Sequence, residues 1–375
     1  MPPSPPPEIL DLIVDQLHDE LAALKACCVV SKSWVPRSRR HLFARVAFDA
    51  PESSVESWME TFPDPSNSPA HHTRSLSIRG LPAAVAAGTD GSSWVRAFQH
   101  VVTLNVDTRE WDDSQVTFVP LHGLSPTLKS LRVTYSFIPL SEVFNLICSF
   151  SLLEDLALIS LDPNGSDDGQ NTSSTSPRLT GSLYLETSRG IRFVVRRLCN
   201  LPGGLHFSKV AVRCFNEDAE STMDLVSRCS DTLESLKISY CIPSTFPSTS
   251  KTRQLIDTLP PLVDLETFRT PSLLDLSEAR KLKHLVLRYG MPSIRWITMA
   301  LQTAKSKNLQ TITIRPDATT FGNPVGVTLY EEWQELDDLL VQLWTSRSIR
   351  PKVMCRGSCL ILLPELTRRG LVDPP

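Results

Sequence analysis

A short apolar phrase recurs along the chain beyond residue 70. It consists of one apolar residue followed by two others, three and five positions later, with variable residues between them. Leu128, Leu131 and Val133 form one copy. The central residues of successive copies fall at positions 76, 104, 131, 156, 183, 210, 236, 265, 285 and 312, at intervals of 20 to 29 residues. This part of the chain is therefore built from a unit of nearly constant length.

The phrase predicts a β-strand in each unit. Residues two positions apart share one face of a strand, so the last two apolar residues of each copy would point inward. The interval lies within the range of about 20–29 residues that is typical of leucine-rich repeats, whose units stack side by side. We therefore predict an α/β solenoid with parallel strands on its concave face and helices or irregular segments outside. Helical periodicity occurs between the phrases at 141–149, 191–199, 219–229 and 294–305.

An ordinary doubly wound α/β domain is the alternative, because its strand–helix units also recur at similar spacing. The glycine-rich phosphate-binding turns of such domains have no counterpart in this sequence. In addition, the phrase itself repeats here, and not only the alternation of strand and helix. Both observations favour the solenoid.

The first 48 residues have a different pattern, which predicts helices. Ile9 and Ile13 belong to an apolar stripe that recurs every four residues and predicts a first helix. A second helix would place Leu21 and Cys28 inward, and Ser31 would cap a third. Three helices in so short a segment form a very small core, which would gain stability by docking.

The sequence thus divides into four predicted regions. They are a helical module at 1–48, a proline- and serine-rich connector at 49–70, degenerate leucine-rich repeats at 71–325 with a loop insertion at 163–177, and a C-terminal cap at 326–375. The cap contains a predicted helix over 330–344. Its periodicity places Trp333 inward and Asp337 among the residues that face water.

Several residues of the helical module form a pattern in their order and spacing. They are Pro6-Pro7-Glu8-Ile9-Leu10, Ile13, Leu17, Leu21, Leu24, Val30-Ser31-Lys32-Ser33-Trp34 and His41-Leu42-Phe43. In this order they resemble an F-box, the helical motif that docks substrate receptors onto the Skp-type adaptor of cullin–RING ubiquitin ligases. With repeats following the module, the whole chain is similar to fungal-type F-box proteins. Two positions depart from the pattern: Pro5 occupies the usual leucine position, and Leu42 or Phe43 replaces a late tryptophan.

The resemblance implies the substrate-receptor subunit of a cullin–RING (SCF-type) ubiquitin ligase, which is not itself an enzyme. It implies that contacts with the adaptor, or within the module core, are made by Pro6, Ile9, Leu10, Ile13, Val30 and Trp34. The repeats would then bind a client protein. The alternative is a leucine-rich-repeat scaffold with no link to ubiquitination, in which the same residues only close a small helical core.

Composition narrows the class of partner and the compartment. The chain of 375 residues has a formal net charge of −3, so no global field favours nucleic acid or an anionic membrane. Its beginning is not typical of a secretion signal, and no uncharged apolar run is long enough to span a bilayer. The nine cysteines lie mostly inside apolar runs, which is typical of free thiols in a reducing compartment. We therefore expect a cytoplasmic and/or nuclear protein without membrane or nucleic-acid partners.

Candidate chemistry is confined to one predicted surface. No residue pattern is typical of a metal site, a nucleophile elbow or a phosphate-binding loop, so we expect no catalytic residue, metal or cofactor. On the concave face we expect a basic group, Lys209, Arg213, Lys237, Arg288 and Arg315. Because arginine forks suit carboxylate and phosphate, an acidic or phosphorylated segment of a client is expected to bind there. The alternative is that charged residues simply occupy exposed strand positions.

Overall fold

The recurring apolar phrases form parallel strands in the computed structural model. The structure describes residues 6–49, 54–79, 94–109, 118–134, 139–161, 177–186, 191–215, 219–241, 274–289, 294–316, 329–346, 352–355 and 363–373. The chain forms two compact units, Met1–Leu179 (unit 1) and Thr180–Pro375 (unit 2).

Unit 1 begins with three helices and continues as a parallel sheet. The helices are α1 (Pro7–Gln16), α2 (Leu21–Val30) and α3 (Val35–Leu42), and two more follow later, α4 (Val55–Thr61) and α5 (Leu140–Cys148). The strands are β1 (Arg45–Phe48), β2 (Ser75–Ile78), β3 (Thr103–Asp107), β4 (Ser130–Thr134) and β5 (Asp155–Ile159). Each strand pairs in parallel with the next one along the chain. Short 3-10 turns at Pro69–His72, Val95–Ala97 and Val119–Gly123 lie in the connections.

Unit 2 has the same organisation with more helix. Its strands are β6 (Ser182–Glu186), β7 (Lys209–Phe215), β8 (Ser235–Cys241), β9 (His284–Tyr289), β10 (Thr311–Pro316), β11 (Lys352–Cys355) and β12 (Val372–Asp373). They also pair in parallel, in chain order. The helices between and after them are α6 (Ile191–Cys199), α7 (Ala219–Cys229), α8 (Arg295–Thr303), α9 (Leu329–Ser346) and α10 (Pro364–Arg368).

The central residues of the phrases lie in register and are buried. In unit 1, Leu76, Leu104, Leu131 and Leu156 are successive partners across the sheet, and all four are buried. In unit 2, the central residues from Leu183 to Ile312 are likewise partners on successive strands and are buried. Each such side chain stabilises the fold by about 1.5–3 kcal/mol when fully buried. The α/β class and the solenoid-like stacking of parallel strands are thus confirmed in each unit. The copy centred on residue 265 lies outside the described residues.

Threonine hydroxyls just before the strands join successive repeats. The hydroxyl of Thr127 donates to the carbonyl of Val101 at 3.3 Å, and Thr232 donates to Phe207 at 3.1 Å. Each bond gives a partner to a backbone carbonyl of the preceding repeat that the hydrogen bonds between strands leave unpaired.

The sheet of unit 1 begins inside the predicted helical module. Only two residues separate the end of α3 from β1, and the carbonyl of Ala44 between them accepts the backbone N–H groups of Arg74 and Ser75 at 2.9 and 3.0 Å. The sheet therefore has one strand, β1, before residue 71, where the repeats were predicted to start. The predicted connector contains helix α4, whose first turn is capped by the Ser54 hydroxyl.

An aromatic cluster joins helix α4 to the first strands. The ring of Trp58 lies 6.0 Å from Phe43, 5.8 Å from Phe48 and 5.6 Å from Phe98, measured between ring centroids. Trp94 also contacts Phe48, edge to face, at 5.8 Å. Tilted and edge-on pairs of this kind each add to the stability gained by burial. The helical segment and the first strands of unit 1 therefore share one aromatic core.

Three details of the helices differ from the sequence prediction. Leu21 is 58% exposed, and Cys27 takes the buried position that was predicted for Cys28, which is only half-buried. Ser31 follows the last residue of α2, and its hydroxyl accepts the N–H of Ser33, while α3 starts after Trp34 without a side-chain cap.

The predicted exposure of Asp337 is wrong. Its side chain is buried within unit 2, where its two carboxylate oxygens accept the N–H groups of Glu365 and Leu366 at 2.7 and 3.0 Å. A helix N-terminus leaves such N–H groups without partners in the helix itself, so the carboxylate caps α10 from a neighbouring helix.

Candidate interaction surfaces

A carboxylate at the end of α1 joins this helix to α3. Asp15 accepts hydrogen bonds from Arg37 and is 2.7 Å from the Nε2 atom of His41, both on α3. The Nε–Oδ1 distance to Arg37 is 2.6 Å. Arg37 and then His41 hold the pKa of the Asp15 carboxyl below its usual range, so it stays ionised. The orientation of α1 on α3 is therefore set by an ionic contact as well as by apolar packing.

The apolar residues of α1 divide between two faces of the helix. Val14 is buried, and Leu10 and Leu17 are half-buried. Ile9 and Ile13, one turn apart, are each 48% exposed. We call the exposed group Ile9, Leu12 and Ile13 the α1 face; its members are three and four positions apart and therefore adjacent on the helix surface.

The other residues predicted to contact the adaptor lie at the ends of the helices. Pro6 is exposed immediately before α1, and Val30 is 69% exposed at the last position of α2. Trp34 is half-buried before the start of α3. Sequence reasoning missed Leu12 and Val29, which are also exposed, because neither belongs to the stripe of every fourth residue.

The basic residues predicted for the strand face lie on the sheet of unit 2. We call the side opposite the buried central residues the open face of a sheet. Arg213, Arg288 and Arg315 occupy the third outward position of β7, β9 and β10, and Ser239 is the corresponding residue of β8. These three arginines, the arginine row, are all half-buried. The structure thus brings all three into one line across the sheet.

The two predicted lysines lie in the neighbouring lines of the same face. Lys237 is in the middle position of β8, opposite Val286 of β9, and Lys209 is in the first position of β7, opposite Ser235. Lys352 of β11 is exposed in the same line as Lys209 and was not predicted, because its strand was assigned to the cap. On the described strands of unit 2, the open face therefore carries many more cations than anions.

One carboxylate, Glu186, lies at the start of the arginine row. It is the residue of β6 in register with Arg213, and the distance between Oε1 of Glu186 and Nη1 of Arg213 is 2.7 Å. The hydroxyl of Tyr184 donates to the other carboxylate oxygen. This pairing depends on the strand register, so the sequence alone does not reveal it.

Arg288 differs from Arg213 in its surroundings. Among the residues that the structure describes, it forms no ion pair, and its Nε atom is buried without a hydrogen-bond partner. A buried charged N–H that lacks an acceptor is costly, and an oxyanion placed over the row would supply one.

The open face of unit 1 has a different charge balance. There, Asp107 of β3 lies 3.7 Å from Arg79 and 2.5 Å from Arg109, measured between the nearest carboxylate oxygen and guanidinium nitrogen. Two of its arginines thus share a counter-charge from their own sheet. The surplus of positive charge belongs to unit 2.

Neither a metal site nor a membrane-spanning helix occurs in the described segments. They contain no group of three or more histidine, cysteine or acidic side chains able to hold a metal ion. None of the helices in these segments combines the length and the apolarity needed to cross a bilayer. His71 and His72 lie in the 3-10 turn Pro69–His72, where burial lowers the pKa of His72.

Comparison with known proteins gives little further information. No protein family matches the sequence, and no curated protein matches it. Among solved structures, a protein from Bacteroides fragilis, a target of the Northeast Structural Genomics Consortium, is similar over 57% of this chain and 72% of its own length. The sequence identity is 13% and the TM-score is 0.30, a level at which the likeness carries no argument about function.

Proposed function

We propose that this chain is a substrate-receptor subunit of a cullin–RING (SCF-type) ubiquitin ligase. In this proposal the three N-terminal helices are an F-box that binds a Skp-type adaptor, and the strands belong to degenerate leucine-rich repeats that bind a client protein in the cytoplasm or nucleus. The receptor performs no chemistry. It accelerates ubiquitin transfer by holding a client lysine near the ligase, which converts an encounter in solution into an oriented contact.

The α1 face is the observation that carries the proposal. A helix whose only role was to close a small core would bury its large apolar residues, whereas α1 leaves Ile9, Leu12 and Ile13 exposed side by side. Exposed apolar groups that are contiguous are typical of protein interaction sites. Asp15 supports this role, because its contacts with Arg37 and His41 fix α1 in place before any partner binds.

The proposal is tested by co-purifying the full chain with the Skp-type adaptor. The double variant Ile9→Asp with Ile13→Asp should abolish co-purification, because each charge would lie in an apolar contact. The control is Gln302→Asp with Gln310→Asp, which adds the same charge at two exposed positions of unit 2. Thermal unfolding of both variants would show that the fold is retained.

The two readings predict different results. Loss of the adaptor from the α1-face variant alone supports the receptor. Failure of the wild-type chain to bind the adaptor, or equal binding by both variants, would instead favour a repeat-protein scaffold with no link to ubiquitination.

A further inference from the structure

We infer that the open face of unit 1 binds an extended peptide segment, with Arg132 pairing with an acidic side chain and Asn105 bonding to the peptide backbone. The inference rests on the proposed function in one respect: a client protein is what supplies the segment. The binding itself depends only on strands β2, β3 and β4 of unit 1.

Six polar side chains lie side by side on this face and form what we call the polar patch. They occupy the first two outward positions of three neighbouring strands: Ser75 and Ser77 on β2, Thr103 and Asn105 on β3, and Ser130 and Arg132 on β4. Each is the register partner of the corresponding residue on the next strand. Because neighbouring strands lie about 4.8 Å apart, the patch is about 10 Å wide across the strands. This width matches about three residues of extended chain.

The side chains of the polar patch have no partners within the described part of the protein. Five of them are half-buried and Arg132 is exposed, but none makes a side-chain hydrogen bond or an ion pair with another described residue. The hydroxyls of Ser125 and Thr127, just before β4, differ from them, because both donate to backbone carbonyls of the preceding repeat. The donors and acceptors of the patch are therefore open to a ligand.

Asn105 occupies the centre of the polar patch, between Ser77 and Arg132 in its line across the sheet. Its amide has two N–H donors and an acceptor oxygen, so it can bond to the carbonyl and the N–H of a peptide group at once. Every residue of a peptide except proline carries both groups. Asn105 therefore fits an extended backbone regardless of its sequence.

Arg132 adds a preference for an acidic residue. Two other arginines on the open face of unit 1 have a carboxylate close by. Arg79 lies 3.7 Å from Asp107, and Arg45 lies 3.8 Å from Asp19, measured between the nearest charged atoms. Arg132 has no such counter-charge in the described segments. Its guanidinium can bond to both oxygens of one carboxylate, which gives direction as well as strength.

Nearby negative charge favours a carboxylate over a phosphate at Arg132. Asp107 on β3 and Asp155 on β5 are its diagonal neighbours across the sheet. Asp107 is already paired with Arg79 and Arg109, so Asp155 is the main source of repulsion. A glutamate or aspartate brings one negative charge, whereas a phosphate monoester brings about −1.5 to −2 near neutral pH. The extra charge of the phosphate would therefore be repelled.

A small polar molecule such as a sugar is the competing occupant of a surface rich in hydroxyl groups. Sites for small molecules are usually concave and mostly apolar, with only a few polar groups. The polar patch contains no apolar or aromatic residue among its six members, so it offers a small molecule little apolar contact. A peptide suits it better, because backbone groups and a carboxylate match the hydrogen-bonding capacity of the six side chains.

The test measures binding of short labelled peptide pools to the full chain. Each pool has randomised positions around one fixed residue, which is glutamate, glutamine or phosphoserine. We expect the glutamate pool to bind about tenfold more tightly than the glutamine pool, the difference expected for one charge-assisted hydrogen-bonded contact. The phosphoserine pool should bind less tightly than the glutamate pool, because of the repulsion from Asp155.

Three variants separate the roles within the polar patch. Arg132→Gln should weaken binding of the glutamate pool about tenfold and leave the glutamine pool nearly unchanged, which removes the preference. Arg132→Lys keeps the charge and removes the fork, so its preference for glutamate should be smaller than that of the wild-type chain. Asn105→Ala should weaken both pools by the same factor, about threefold, because a bond to the backbone does not depend on the fixed residue.

Matched controls lie elsewhere in unit 1. Arg96→Gln removes an exposed arginine from a 3-10 turn, and Asn145→Ala removes a half-buried amide from α5. Neither position belongs to a strand, so both variants should bind the pools like the wild-type chain. Thermal unfolding of each variant shows whether the fold is retained.

The possible failures are distinct. Equal binding of the glutamate and glutamine pools by the wild-type chain, or a preference that survives Arg132→Gln, would overturn the inference. Tighter binding of the phosphoserine pool would overturn it too, and displacement of the glutamate pool by a panel of soluble oligosaccharides would assign the face to sugars instead. Co-purification with the Skp-type adaptor is expected to be unchanged in all these variants, so a failed patch and a failed ligase role give different results.

Discussion

The guanidinium of Arg37 on α3 makes a two-pronged contact with the carboxylate of Asp15 on α1. The two residues are 22 positions apart and about seven-tenths buried. Planar forks of arginine and carboxylate restrict both distance and angle, so the contact orients one helix on the other as well as attracting it.

Replacement of Asp15 should loosen α1 in a pH-dependent way. Because Arg37 and His41 lower its pKa in the folded protein, Asp15 contributes stability above the unfolded pKa of about 3.9, and that contribution is lost as the pH falls below it. Asp15→Asn should destabilise the helices by about 1 kcal/mol at neutral pH, since the pair is partly exposed. Hydrogen exchange of the α1 amides at several pH values measures both this destabilisation and its dependence on pH.

The control for Asp15 lies on the same helical segment. Asp19 is largely exposed and makes looser contacts with His18 and Arg45. Asp19→Asn should leave the exchange of α1 nearly unchanged. An equal effect of both variants would mean that net charge, and not the contact with α3, stabilises the helices.

Removal of the Asp337 carboxylate should destabilise the end of unit 2. Asp337→Ala leaves the N–H groups of Glu365 and Leu366 without their acceptor, at a cost of about 1–3 kcal/mol. The neighbouring Asp338 is exposed, so Asp338→Ala should change stability by less than about 0.5 kcal/mol. Urea unfolding followed by hydrogen exchange at Leu366 distinguishes the two. Equal stability of both variants would show that α10 does not depend on this cap.

Neighbouring residues of one strand should differ sharply in their importance. Leu131 is buried in β4, and Arg132 after it is exposed on the open face. We expect Leu131→Ala to cost about 2–5 kcal/mol, through lost burial and the cavity left behind. Arg132→Ala should cost less than about 0.5 kcal/mol. Comparable losses in chemical denaturation would contradict the assignment of these two faces.

The thiol of Cys229 should be nearly unreactive in the folded protein. Burial raises its pKa to about 12, against about 8.5 for an unfolded cysteine. Alkylation at pH 9, mapped by mass spectrometry, should modify Cys229 only after denaturation. Between about pH 8.5 and 12 the folded state holds a proton that the unfolded state loses, so this residue makes stability fall as the pH rises. Cys229→Ala should remove that part of the pH dependence. If the stability of the variant fell just as steeply between about pH 8.5 and 12, the dependence would belong to other groups.

The strands could be predicted because their signal is local. A phrase such as Leu128, Leu131 and Val133 carries its own alternation, and the following helices, for example 191–199 and 219–229, coincide with predicted segments. The sheet order then follows, because a short repeat can only stack beside its neighbour. The boundaries of the four predicted regions, the F-box and the contact residues are not tested by the fold and stay predictions.

The features that sequence reasoning missed depend on distant partners. On α9, Asp337 lies at the border of the apolar stripe, so the periodicity does not decide whether it is buried. Its burial becomes clear only from the contact with α10, which begins near Glu365, 28 residues later. Phe43, Val46 and Phe48 have the spacing of the phrase, but Val46 precedes Leu76 by 30 residues and lies in the segment assigned to the helices, so only the pairing with β2 identifies β1. Likewise, the effect of Glu186 on Arg213 becomes visible only when β6 and β7 are aligned.

The join between α3 and β1 has a practical consequence for any attempt to recombine this protein. Cutting before β1 would strip β2 of its hydrogen-bonding neighbour and open a bare sheet edge, which invites aggregation. Cutting after β1 would leave an orphan strand on the helical fragment and separate Phe48 from Trp58. A chimaera that exchanges the helices must therefore carry residues 6–109 as one cassette, with the first three strands included.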